Sequence, residues 1–168
     1  MHDIRALLES EIPHLRRYAR ALVTNVDEAD DLVQSCLQKA LENAHQWDSS
    51  RRLRPWLFRI QHNIFVSWLR RRETERGIRS AAPRERSVAP RHEVDLHLKE
   101  MQRALERLPT EQRTVVLLIA LEGLTYQEAS EVLAVPVGTI RSRLARGRES
   151  LRAALDGGLD TPAAQGGL

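Results

Sequence analysis

Residues 124–152 read Leu-Thr-Tyr-Gln-Glu-Ala-Ser-Glu-Val-Leu-Ala-Val-Pro-Val-Gly-Thr-Ile-Arg-Ser-Arg-Leu-Ala-Arg-Gly-Arg-Glu-Ser-Leu-Arg. This stretch constrains the fold more than any other, because each of its parts has a local cause. Thr125 and Glu128 form a T-x-x-E capping box, which starts a helix. Pro136 cannot continue that helix but suits the first turn of another, so a turn falls over 134–136. In the second helix Val137, Ile140, Leu144, Leu151 and Leu155 share one face, with Gly147 among them. The opposite crest, Gly138, Ser142, Ala145 and Glu149, is low and mostly small. Arg141, Arg148 and Arg152 flank it on one side, Arg143 and Arg146 on the other. A low crest between arginine shoulders can enter a major groove while guanidinium groups reach phosphates or guanine edges. A solvated basic helix packed by its leucines would show the same residues, but the capped helix and turn ahead of it favour DNA reading.

Charge is patterned rather than massed. The net charge is only +3, yet residues 51–72 hold seven arginines and no acid, and residues 27–31 hold four acids. Two separated basic surfaces and one acidic helix start imply at least two kinds of contact. The single cysteine, Cys36, excludes an internal disulfide and sits on an apolar helical face as a small core residue. The six histidines do not combine with it at zinc-site spacing. No P-loop or dinucleotide fingerprint is present, so the sequence calls for no cofactor, no metal and no enzyme activity. Neither a signal peptide nor a long apolar run is seen, which predicts a cytoplasmic protein without membrane attachment.

The periodicity is helical almost throughout, and the fold class read from it is all-α, two small helical domains joined by a flexible linker. Pro13 is expected to open a helix carrying Leu15, Tyr18, Ala19 and Leu22. A second helix spans about 28–45, with Ala29, Leu32, Val33, Cys36, Leu37, Ala40, Leu41 and Ala44 inward. Asp27, Glu28, Asp30 and Asp31 crowd its first turn, where the helix dipole favours negative charge. Asp31, Gln34, Ser35, Gln38 and Glu42 make a continuous polar face suited to a partner. A third helix covers about 55–72 with a core stripe of Leu57, Ile60, Ile64 and Trp68. Trp56, Arg59, Asn63 and Ser67 form another row. A ring, a guanidinium and an amide in one row suit single-stranded nucleic acid, which the ring stacks and the amide reads. A plug at the core edge is the alternative role for Trp56. Residues 73–95, with Pro83, Pro90 and few large apolar side chains, read as a linker. Beyond it, one helix carries Leu96, Leu98, Met101, Leu105 and Leu108, and Val115 through Leu121 fills a core that Gly123 ends.

Three stretches, in order, resemble the extracytoplasmic-function (ECF) group of the bacterial sigma-70 family. Ala29-Asp30-Asp31-Leu32-Val33-Gln34 is similar to the second-region helix that binds core RNA polymerase. Arg54-Pro55-Trp56-Leu57-Phe58-Arg59-Ile60-Gln61-His62-Asn63 resembles the helix that melts and reads the −10 promoter element. Leu108-Pro109 through Arg152 resembles region four, the −35 reader. The resemblance spans about residues 4–155, and the style of both regions is reminiscent of general-stress factors of alphaproteobacteria. It departs from the family at Ser35, where glutamate is frequent, at Ala134, where glycine is frequent, and at Ala129-Ser130 in place of Ile-Ala.

The resemblance implies a sigma region 2-like domain over 1–72, a linker over 73–95, a region 4-like domain over 96–155 and a loose tail over 156–168. It implies −35 contacts from Thr125, Tyr126, Gly138, Thr139, Arg141, Ser142, Arg143, Arg146 and Arg148. It implies −10 contacts from Trp47, Asp48, Ser49, Ser50, Arg51 and Arg52, together with Trp56, Arg59 and Asn63. Asp30, Asp31, Gln34, Ser35 and Gln38 would meet core RNA polymerase at the clamp helices of its largest subunit, and region four would meet its flap. Promoter DNA and an anti-sigma factor complete the expected partners of an alternative sigma factor acting in a stress response. A stand-alone helix-turn-helix regulator would leave the 51–72 arginines unexplained. A mimic that only titrates an anti-sigma factor would not need the arginines of 141–148.

Overall fold

The computed structural model describes residues 4–78 and 96–157. These residues form α-helices with two short variants and no strand. Helix α1 is Ile4–Leu22, α2 is Val26–Glu42 and α3 is Leu53–Ile78. The second half holds α4 (Leu96–Arg107), α5 (Thr110–Val116), α6 (Tyr126–Leu133) and α7 (Val137–Asp156). No helix among them is long and apolar enough to cross a membrane.

Helix α1 runs through Pro13 rather than starting there. Leu8 is buried one turn before the proline, and Ile4 and Leu7 pack at the core edge, so the apolar stripe begins earlier than the proline suggests. Burial of that stripe offsets the roughly 3 kcal/mol that an internal proline costs. Asn25 caps α2 by accepting from the Glu28 N–H at 3.1 Å. Helix α2 ends at Glu42, three residues short of the expected limit, and a 3-10 turn over Ala44–Gln46 comes next. Ala29, Leu32, Val33, Cys36 and Ala40 are buried as expected, but Leu41 stays 46% exposed.

Helix α3 is longer than expected at both ends and is buried on more than one side. Leu57 and Ile64 lie in the core, Ile60 and Trp68 at its edge. Phe58, Gln61 and Phe65 are also buried, because α3 packs on α1 and α2 and on α6 of the second half. The Tyr18 and Phe58 rings meet at 4.9 Å between centroids, tilted by 59°. Such a pair contributes about 0.5–1.5 kcal/mol beyond area burial. Gln61, fully buried, donates from Nε2 to the Leu15 carbonyl at 3.1 Å. The Cys36 thiol donates to the Leu57 carbonyl, and burial pushes it up to about 12, which keeps it an inert core group.

Helix α3 carries the chain in helix to Ile78, into the stretch expected as linker from residue 73. Residues 79–95, and the tail from 158 on, lie outside the described residues. The two halves are not held apart. Helix α6 packs on α3, and the turn after α5 packs on α1. Helix α4 differs from expectation too: Leu96, Leu98 and Met101 are exposed, while Ala104 and Leu108 are buried.

Candidate nucleic-acid interfaces

The helix-turn-helix is built as the sequence requires. Thr125 Oγ1 accepts from the Glu128 N–H at 3.1 Å, and Glu128 Oε2 accepts from the Thr125 N–H at 2.9 Å. Ala134 ends α6 with φ +53°, the left-handed region that glycine fills most easily. The carbonyl of its neighbour Val135 accepts from the Ser130 hydroxyl, which fixes the turn before Pro136. Ser130 thus ties down the turn where the family more often has alanine.

Helix α7 buries Ile140, Leu144 and Gly147 and half-buries Leu151 and Leu155. The need for glycine at 147 is steric. A Cβ there would stand 2.7 Å from Val116 Cγ2, closer than carbon atoms approach. Gly138, Ser142, Ala145 and Glu149 form the exposed crest, and Arg141, Arg146, Arg148 and Arg152 are exposed around it. Thr139 is half-buried, and its carbonyl accepts from the Ser142 hydroxyl. Thr125 and Tyr126 are exposed beside the same face, with the Arg141 guanidinium over the Tyr126 ring. Arg143 stands apart. It is 22% exposed, 3.5 Å from Glu111, and its charge reaches His62 of α3. Burial first and Arg143 second hold the His62 imidazole down to about 4, so it is neutral at physiological pH.

On the first half, an open recess of about 220 Å³ is lined by Lys39, Asn43, Gln46, Trp56, Arg59, Ile60 and Asn63. The structure therefore brings Trp56, Arg59 and Asn63 together, as their spacing predicts. The recess floor comes from the end of α2 and the 3-10 turn, not from residues 47–54. Asn43 Nδ2 donates to the Lys39 carbonyl and Gln46 Nε2 donates to Asn43 Oδ1, so the amides are held in a fixed row. Lys39, Asn43 and Gln46 were not legible as site residues, because nothing in their spacing shows that the chain folds back past Asn43. The only hint was Lys39, one of two lysines in an arginine-rich chain.

The 47–54 loop is ordered around Asp48. Its Oδ1 accepts from the Ser50 N–H at 2.9 Å, and the Ser50 hydroxyl first, with that N–H second, holds the carboxyl below its usual range. Trp47 is turned against the core rather than outward. Ser49 and Ser50 are exposed. Arg51 pairs with Glu131, and Arg52 binds Glu128 through Nη1 at 2.8 and 3.0 Å, both acids lying on α6. On α2, Asp31, Gln34 and Gln38 are exposed and Asp30 and Ser35 half-buried, so they form one accessible strip.

Known proteins match this arrangement along both halves. Residues 8–62 match the Sigma2 domain of PhyR, and residues 98–151 match Sigma-70, region 4. The ECF RNA polymerase sigma factor EcfG of Rhodopseudomonas palustris is 39% identical over 91% of this chain and 85% of its own length. The sigma factor RpoE of Bartonella quintana, solved in complex with the anti-sigma factor NepR, is 31% identical with a TM-score of 0.84, over 93% of this chain and 98% of its own. CnrH, solved with the cytosolic domain of CnrY, is 28% identical with a TM-score of 0.69, over 93% and 91%. The chain belongs to the extracytoplasmic-function group of sigma-70 family RNA polymerase sigma factors.

Proposed function

We propose that this alternative sigma factor docks on core RNA polymerase through the exposed strip of α2 and reads a promoter at two separate places. The observation that carries the reading is the recess on the first half. A tryptophan ring, a guanidinium and side-chain amides converge on one open cavity. That set can stack, neutralise and read one base of a melted strand, at a few kcal/mol of unstacking. The exposed crest of α7, with Arg141, Arg146 and Arg148 around it, reads duplex DNA upstream. Catalysis then belongs to the polymerase, and the factor acts in the cytoplasm. Like RpoE of Bartonella quintana, it is held by an anti-sigma factor.

Docking and DNA reading separate experimentally. Asp31 and Gln34 are exposed, so changing them is expected to leave the fold intact. The double change Asp31→Lys with Gln34→Lys is expected to abolish co-purification with core polymerase while the melting temperature stays put. Normal polymerase affinity in that variant would mean the acids serve only the helix dipole.

A further inference from the structure

The turn between α6 and α7 is gripped by a single residue, Ser130, through its carbonyl and its hydroxyl. The carbonyl accepts from the Ala134 N–H and, at 3.2 Å, from the Val135 N–H. The hydroxyl donates to the Val135 carbonyl. Both backbone polar groups of Val135 are therefore bound to Ser130, which leaves the Val135 torsions little freedom. Pro136 follows with its φ locked by the ring, at −58°.

The position before Val135 is stiff as well. Ala134 sits at φ +53° and ψ +45°, in the left-handed region. Its Cβ makes that region a narrow well, whereas glycine moves readily between the two hands. Three consecutive residues, 134 to 136, are thus restrained by different means: a Cβ, a serine and a proline ring.

This turn aims the start of the reader helix. No side chain caps α7; the Pro136 carbonyl accepts from the Thr139 N–H at 2.9 Å and the Ile140 N–H at 3.2 Å. Ile140 is the first buried residue of α7. Packing of Ile140, Leu144 and Gly147 decides which face of the helix looks inward. Gly138 and Thr139 precede that anchor, so their placement depends on the turn behind them, and Arg141 follows in the same helical turn. A reading group must be held within about 0.5 Å of its productive position.

We infer that Ser130 is a positioning residue for upstream-element reading. By fixing the Val135 carbonyl, its hydroxyl holds the first turn of α7 in the pose that sets Gly138, Thr139 and Arg141 against base edges. Ser130 is half-buried with its hydroxyl spent on the turn, so it acts through the helix rather than on DNA. The inference rests on the reading of duplex DNA by α7.

Selection from an upstream-element library by the holoenzyme gives a preference ratio, the best sequence over its single-base variants. Ser130→Ala is expected to lower that ratio about fivefold, the size of one lost hydrogen bond, and to leave the downstream motif unchanged. Ser130→Thr, which keeps the hydroxyl, is expected to keep the ratio. Adding Ala134→Gly to Ser130→Ala relieves the left-handed alanine and is expected to recover the melting temperature. The ratio should stay low in that double variant, because glycine loosens the turn further. An unchanged ratio in Ser130→Ala, an equal loss in Ser130→Thr, or a ratio restored together with the melting temperature in the double variant overturns the proposal. Arg141→Ala, measured alongside, separates the two failures: an unchanged ratio there as well would count against reading by α7 itself.

Discussion

The Arg141 guanidinium lies over the Tyr126 ring, 5.9 Å from its centroid, and joins the first helix of the helix-turn-helix to the reader helix. A cation–π contact at an exposed site contributes about 0.5–1 kcal/mol, enough to hold a flexible side chain in a reading pose. Arg141→Ala is expected to lose about 1–3 kcal/mol of upstream-element binding and to relax sequence preference there. Tyr126→Leu should lose a smaller part of the same preference. Arg152→Ala should weaken binding evenly. Competition binding by the holoenzyme across an upstream-element library measures all three, and equal losses on every sequence for Arg141→Ala would make it a phosphate contact only.

Gly147 and Val116 set the distance between α7 and α5. A methyl group at 147 would meet Val116 Cγ2 at 2.7 Å, so something must shift. Gly147→Ala should destabilise the second half by about 1–3 kcal/mol despite the better helix propensity of alanine. Adding Val116→Ala should recover part of the overlap cost while introducing its own cavity cost. Urea denaturation gives the comparison, and a stabilised Gly147→Ala would show that the helices part freely.

His62 makes stability depend on pH. Its folded imidazole sits near 4, below the ordinary 6.5, because it is buried and faces Arg143. The unfolded chain therefore binds the proton first as pH falls. The contribution is complete above about 6.5, is lost progressively as pH drops toward 4, and amounts to about 1–3 kcal/mol. His62→Gln should flatten the melting temperature between pH 6.5 and pH 4 relative to the parent. An unchanged slope would place the titration elsewhere.

The parts of the chain governed by local chemistry were legible in the sequence. The capping box at Thr125 and Glu128, the Pro136 turn and the buried face of α7 all arise from neighbours within a few residues. So does the row of Trp56, Arg59 and Asn63. The illegible parts depend on packing between distant residues. Pro13 reads as a start, but the buried stripe from Leu8 carries α1 through it. Leu98 and Met101 have core spacing, yet both stay exposed. Glu122 ends an apolar run, and a 3.6-residue period cannot show the π turn over Leu117–Leu121 that aims it at Arg17. The pairing of Arg51 and Arg52 with α6 requires the packing of α6 on α3, which no periodicity contains.

Run-off transcription with purified core polymerase and a randomised promoter library tests the central claim most directly. The chain is expected to direct initiation at promoters sharing two separated motifs, and to bind those duplexes weakly when polymerase is absent. Asn63→Ala should shift the downstream motif and leave the upstream one unchanged. Trp56→Ala should slow opening, with partial rescue on pre-melted templates, because stacking on the ring assists strand separation. Tight binding of a dimer to a palindrome without polymerase, or a chain that binds an anti-sigma factor yet directs no initiation at any promoter with core polymerase alone, would contradict the account.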